Sequence, residues 1–296
     1  MERPRPDRRD PAQGPAVVAA ALDHPGLRLT AAELIALRPP PRAGRHRPAS
    51  RRPGAVPARV AGQGMDLREI RAFAEGDDLR RIDPGATART GQLHVRSFHE
   101  DRDDTTLLIA DFRHAMLWGT GSALRSVRAA RWLARIGWQA VARGASVALM
   151  AVGDGVPALL GAGTGAAQMQ ALASLMARAH DAALDLCPHR ADLAPALAQA
   201  RRMVPPGGQV HLATGPDGLA GAGADAALSR LARGRRMRVH LILDPAETVP
   251  PDTALSVSNG HATRHGRLSS LDPLPLIAHL RGLGAEAETV MPDDTG

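Results

Sequence analysis

The sequence predicts an α/β protein: a Rossmann-like, doubly wound, mostly parallel sheet, preceded by a small module and a basic N-terminal arm. Three observations lead there. From Thr105 onward, short and almost wholly apolar runs alternate with longer helical patterns, as strands buried on both faces alternate with crossover helices. The first 60 residues are crowded with Pro and Arg and have little apolar periodicity. Between these regions lies a stretch, 61–104, punctuated by turn signals at Glu75–Asp78 and Gly91.

Taken in order, residues 1–15 are expected to be disordered. A short helix is expected at Thr30–Leu37, with Thr30 as N-cap, Glu33 completing a capping box and Pro39 ending it. Residues 38–60 read as a linker, poorly packed and open to proteases. The module over 61–104 carries one predicted strand, Gln92–Phe98. The α/β domain over 105–292 has predicted strands at Thr105–Asp111, Ser146–Val152, Gly208–Thr214, Arg238–Asp244 and Glu286–Met291. Helical patterns fall at Ser122–Arg143, Gly165–His180, Asp192–Val204, Ala224–Arg233 and Asp272–Gly284.

Composition narrows the chemistry. All 37 basic residues are arginine, so a Walker A lysine, a Schiff base and a kinase-type ATP lysine are excluded. The formal net charge of +7 lies wholly in residues 1–60, and Arg38–Val60 holds seven Arg and no acid. Such an arm suits an acidic partner, an anionic surface or nucleic acid, although without interleaved aromatics nucleic acid is the weaker match; the plainer reading is a solvated linker. The longest apolar runs are strand-sized, the first residues lack the apolar core of a secretory signal, and the single cysteine, Cys187, cannot form an internal disulfide. A reduced cytoplasmic setting is expected.

The densest information lies in Gly64–Glu100. Gly64, Asp66, Glu69, Arg71, Gly76, Asp77, Asp78, Arg80, Ile82, Asp83, Ala88, Arg89, Gly91, Val95, Arg96 and Phe98 follow one another in a pattern that resembles the bacterial family called domain of unknown function 58. The resemblance implies a von Willebrand factor A-like domain after a short module, and a metal-ion-dependent adhesion site beyond the strand ends. It also implies a MoxR-type AAA+ ATPase as partner, in complex maturation or metal insertion. In that site Mg²⁺ is held by an Asp-x-Ser-x-Ser after the first strand, a Thr from a second loop and a distal Asp.

Here Asp111 keeps the first ligand, but Arg113 and Ala115 replace the serines, Ala191 stands for the Thr, and Gly215 stands for the distal Asp unless Asp217 reaches in. The expectation is a degenerate, metal-free site: no metal, no cofactor and no catalytic residue. Arg113 would pair with Asp111, and, with His114 beside it, accept a partner's Asp or Glu in the cation's place, so that Arg113→Ala weakens binding. The plainer reading leaves Asp111 as a strand-end residue and Arg113 exposed. Relatives also carry a Trp where Pro84 follows Asp83, which puts the packing of that loop in question.

Other signals are weaker. Arg125, Arg128 and Arg131 line one face of a predicted helix, either solvated or a docking strip for an acidic partner. Arg71, Asp77, Asp78, Arg80, Asp83 and Arg89 alternate in sign and suggest an ion-pair network clamping the module onto the sheet; a metal-dependent hydrolase or nuclease using Asp77, Asp78 and Asp83 is the alternative. Gly161–Gly165 resembles a dinucleotide loop but reads more simply as a turn. His261 and His265 have metal-compatible spacing only if helical, and Ser122 is expected to cap a helix rather than act as a nucleophile. The predicted function is therefore that of a non-enzymatic interaction or adaptor protein.

Overall fold

The computed structural model describes residues 24–40, 55–75, 77–185, 191–219, 222–258 and 263–291. Six strands form the central sheet: β3 (Thr105–Asp111), β4 (Ser146–Val152), β5 (Ala158–Gly163), β6 (Gln209–Thr214), β7 (Arg236–Ile242) and β10 (Glu286–Val290). Their order is β10-β7-β6-β3-β4-β5, and every pairing is parallel except β4 with β5. This is the doubly wound order, with the first strand central and the reversal of winding between β3 and β6. All seven residues of β3 are buried, as its unbroken Thr-Thr-Leu-Leu-Ile-Ala-Asp run requires.

Helices cover both faces. On one side lie α1 (Ala31–Ala36), α3 (Arg125–Ala142) and α4 (Gly165–Asp185), packed through Leu34, Leu133, Trp138, Leu172 and Met176. On the other lie α5 (Ala194–Met203), α6 (Ala222–Ala232) and α8 (Leu274–Gly282), packed through Leu197, Leu228, Leu231, Ile277 and Leu280. A short helix, α7 (Pro245–Thr248), follows β7, and a small antiparallel hairpin joins β8 (Leu255–Ser258) to β9 (Thr263–Gly266). His265 lies exposed in that hairpin, so its predicted pairing with His261 has no helix to support it; His261 falls outside the described residues.

The predicted strands and helices from Thr105 onward are present, with two local corrections. Helix α3 begins at Arg125 and its N-cap, Leu124, makes no side-chain cap bond, so Ser122 is not the cap. The turn before it is held instead from outside, by Leu124 N–H donating to the Gly26 carbonyl at 2.8 Å. The glycines at 161 and 163 belong to edge strand β5, and Gln168 Nε2 donates to the Gly161 and Val147 carbonyls, both at 2.8 Å, filling the would-be nucleotide loop.

The N-terminal part differs more from expectation. Helix α1 forms with Thr30 as its N-cap, Oγ1 accepting from Glu33 N–H at 3.2 Å, but the Glu33 carboxylate turns to Arg131 rather than back to the cap. Far from being part of a loose arm, this segment is part of the core: Leu29 and Leu34 are buried, and Trp138 Nε1 donates to the Leu34 carbonyl at 3.0 Å. The first module strand, β1 (Ala55–Ala72), also begins inside the predicted linker; residues 41–54 of that linker lie outside the described residues.

Strand β1 pairs antiparallel with β2 (His94–Asp103), and a short helix, α2 (Pro84–Thr90), lies between them in sequence. Asp83 caps α2, accepting from Ala86 N–H at 2.7 Å, with exposed Pro84 in the first turn. A proline is well suited there, since its missing N–H would have no partner in any case. Position 84 needs no buried aromatic, which resolves the absent Trp.

Candidate functional site

Asp111 ends β3 beside the point where the winding reverses, and its side chain is fully buried. The chain turns back at once, so that Arg113, two residues on, lays its guanidinium against that carboxylate. Nε donates to Asp111 Oδ1 at 2.8 Å and Nη2 to Oδ2 at 2.7 Å, a bidentate pair. Thr214 at the end of β6 donates to Oδ2 at 2.6 Å, and Arg113 N–H donates to Oδ1 at 3.1 Å. Two further guanidinium N–H groups donate to the backbone: Nη1 to the Ala191 carbonyl at 3.0 Å and Nη2 to the Gly218 carbonyl at 2.8 Å. Burial works against the Arg113 charge, but the hydrogen bonds and charge of Asp111, with Asp154 and Asp192 further off, outweigh it and raise its pKa.

The sequence therefore brought the right positions together. Asp111, Arg113 and Ala191 meet, Ala191 through its carbonyl, while Ala115 sits in a 3-10 turn, His114–Met116, and His114 is exposed. Thr214, which the sequence marked only as the end of a strand, completes the Asp111 shell. Both Asp111 oxygens are committed, and a buried guanidinium stands against them. This donor set does not fit a hard divalent cation, which needs near-octahedral oxygens and no neighbouring positive charge.

The structure places both sets of partner candidates inward. The guanidinium of Arg113 faces Asp111 and two carbonyls, and its side chain is only 8% exposed. The Arg125, Arg128, Arg131 face is largely buried rather than solvated. Arg125 is fully buried beneath the Trp118 ring, 5.0 Å from its centroid, and Nη2 donates to Asp217 Oδ1 at 2.7 Å. Arg128 donates to the Leu243 and Val290 carbonyls, and Arg131 holds Glu33 and the Pro25 carbonyl of the N-terminal segment. Helical spacing identified a face; it did not identify that neighbouring loops need donors there.

Asp217 consequently does not complete the Asp111 centre. It turns to Arg125, whose Nη2 lies 1.4 Å from where a Cβ at Gly215 would stand. Glycine at 215, missing as a ligand, is what admits the second guanidinium.

In the module the carboxylates serve structure. Asp77 accepts two bonds from Arg71, at 2.6 and 2.8 Å, and Asp78 caps a 3-10 turn through Arg80 N–H. Asp83 caps α2 and accepts from Arg96 Nε at 2.7 Å. The Arg71 hydrogen bond lowers the Asp77 pKa, and the Ala86 N–H followed by Arg96 lowers that of Asp83, so neither is poised as a general acid. These pairs knit the module internally rather than clamping it to the sheet, and exposed Arg80 and Arg89 lie at its surface. Gly76 and Cys187 lie outside the described residues, and among the described residues no three His, Cys, Asp or Glu side chains converge on a possible metal site.

A doubly wound sheet with an antiparallel edge strand, and an aspartate ending its central strand at the switch point, defines a Rossmann-like α/β domain. The chain belongs to the family described as "Protein of unknown function DUF58", which matches residues 69–263. Among curated relatives, "Uncharacterized protein Rv1480" of Mycobacterium tuberculosis and "Uncharacterized protein Mb1516" of Mycobacterium bovis are each 39% identical over 61 residues, 21% of this chain and 19% of theirs. The similarity thus spans about a fifth of the length of those relatives. Solved structures with similar folds include the conserved hypothetical protein BatB from Bacteroides thetaiotaomicron, at 16% identity and TM-score 0.42 over 63% of this chain and 90% of that one. The SpRpn10 VWA domain is similar at 14% identity and TM-score 0.40, over 64% of this chain and 89% of that one. No helix among the described residues is long and apolar enough to cross a membrane.

Proposed function

We propose that the chain is a non-enzymatic interaction domain that binds its protein partner without a metal ion, as a cytoplasmic adaptor working with a MoxR-type AAA+ ATPase. The observation that carries this reading is the bidentate Arg113–Asp111 pair, at 2.7 and 2.8 Å, standing at the switch point of the sheet. An internal cation in that position supplies the charge that Mg²⁺ would bring, without a vacancy for a partner's carboxylate to complete. The ATPase follows from the family resemblance, and its client would be a complex awaiting maturation or metal insertion. The structural duties of Asp77, Asp78 and Asp83 weigh against the hydrolase alternative.

The test is co-purification with a MoxR-type ATPase, with and without EDTA, together with calorimetric titration of Mg²⁺ and Mn²⁺. Capture that survives EDTA, with no metal heat, is the expected result. Micromolar metal binding abolished by Asp111→Ala would overturn the metal-free reading.

A further inference from the structure

Among the described residues, the rim above the strand ends carries more carboxylates than cations. Arg113 balances Asp111. Arg125 alone faces both Asp217 and Glu247, at 2.7 and 3.4 Å, and burial first, then Asp217 and Asp244, work to push the Glu247 carboxyl up. Asp154 Oδ2 accepts from His114 N–H at 3.2 Å, whereas its Oδ1 is buried with no hydrogen-bond partner and the residue is 9% exposed. Asp192 is exposed, with Oδ1 engaged by Ala194 N–H at 3.0 Å.

These groups form one continuous surface. The Arg113 guanidinium touches the Ala191 and Gly218 carbonyls, and the turn Pro216–Leu219 carries Asp217 across to Arg125. Asp154 and Asp192 both act on the charge of Arg113. Both guanidiniums are buried and internally matched, whereas the carboxylates of Asp192 and Asp217 are exposed. Exposed apolar side chains flank it: Val156 (96% exposed) and Val249 (80%), each two residues beyond a rim carboxylate.

We propose that this rim is a docking surface for a basic segment of a partner protein, whose Arg or Lys side chains pair with Asp154, Asp192 and Asp217 while its apolar residues cover Val156 and Val249. The internal guanidinium leaves no open cation for an acidic partner, and the surplus acids favour a basic one. The Asp154 oxygen that has no partner among the described residues gains from a donor that reaches it. The proposal rests on the metal-free interaction reading above and adds the chemistry of what binds.

The test uses the full chain and two fluorescent peptides, one rich in Arg and Leu, the other with Glu for each Arg, followed by anisotropy at low salt. The Arg peptide should bind, and both Asp154→Asn and the Asp192→Asn/Asp217→Asn pair should weaken it by roughly tenfold or more. Asp252→Asn, at an exposed site near the β8–β9 hairpin, should leave binding unchanged. Absence of Arg-peptide binding, preference for the Glu peptide, or equal binding by wild type and the Asp192/Asp217 variant overturns the proposal. Urea midpoints for each variant show that the fold is retained. Mg²⁺ titration of the same chain separates the two readings: metal binding defeats the metal-free one, while a failed peptide series without metal binding defeats only the rim.

Discussion

At Asp111 and Arg113, two charged side chains are held in the interior by mutual satisfaction. Such a pair is weak evidence for stability, because desolvating both ions offsets much of their attraction; breaking it is another matter. Arg113→Ala leaves an ionised carboxylate buried with Thr214 and one backbone N–H, and should cost about 3–5 kcal/mol in the urea-derived unfolding free energy. Arg113→Lys should recover little, since an ammonium cannot span both oxygens and two carbonyls. The double change Asp111→Asn/Arg113→Leu, which removes both charges, should lose less than Arg113→Ala alone. A loss under about 1 kcal/mol for Arg113→Ala would show that water replaces the guanidinium freely. The presence of this pair was legible in the sequence, because Arg113 stands two residues after the acid that ends the first predicted strand of the sheet. The wider anchoring of the guanidinium was not: the Ala191 and Gly218 carbonyls that it also reaches lie 78 and 105 residues away.

Among the elements, α1 and its approach show how a segment of arm-like composition becomes core. Leu29 and Leu34 enter the cluster around Trp138, Arg38 lies 5.3 Å from the Trp138 ring centroid, and Arg131 anchors the segment from α3. Gly26 is required for the approach, since a Cβ there would stand 1.8 Å from the Ser122 carbonyl oxygen. Deleting residues 1–38 removes two buried leucines, worth about 1.5–3 kcal/mol each, and uncovers Trp138. Relative to a chain lacking only residues 1–23, the unfolding free energy should therefore fall by at least about 3 kcal/mol. Equal urea midpoints for the two truncations would return this helix to the surface. Its N-cap was readable from Thr30 and Glu33; its docking was not, because six residues with one apolar stripe say nothing about which distant helix awaits them.

The whole molecule responds to pH through histidines buried as neutral rings. Burial lowers the His180 pKa to about 4, and burial together with His240, Arg238 and Arg143 lowers that of His211 to about 3 despite the opposing Glu288. Both folded values lie below the ordinary 6.5, so the neutral forms favour folding and the unfolded chain binds protons first. Stability is then fully present above about pH 6.5 and is lost as pH falls toward 4, by an amount on the order of 2–4 kcal/mol for each ring. Chemical denaturation at intervals from pH 7.5 to 4.5 measures this slope, which His180→Gln should reduce; a flat profile would mean that both rings reach solvent.

By itself the sequence determined the alternation of strands and helices from Thr105 onward, the cap at Thr30, and the placing of Arg113 two residues after the acid that ends the first sheet strand. These follow from local periodicity, capping chemistry and residue identity, which travel with a few neighbouring positions. Only the tertiary structure decided that the Arg125–Arg131 face points inward, that Thr214 rather than Asp217 completes the Asp111 shell, and that Asp217 faces a second buried guanidinium. Each of those outcomes depends on which backbone carbonyls and carboxylates are left without donors where loops distant in sequence converge. That demand arises only when the sheet has closed and water has left the strand ends.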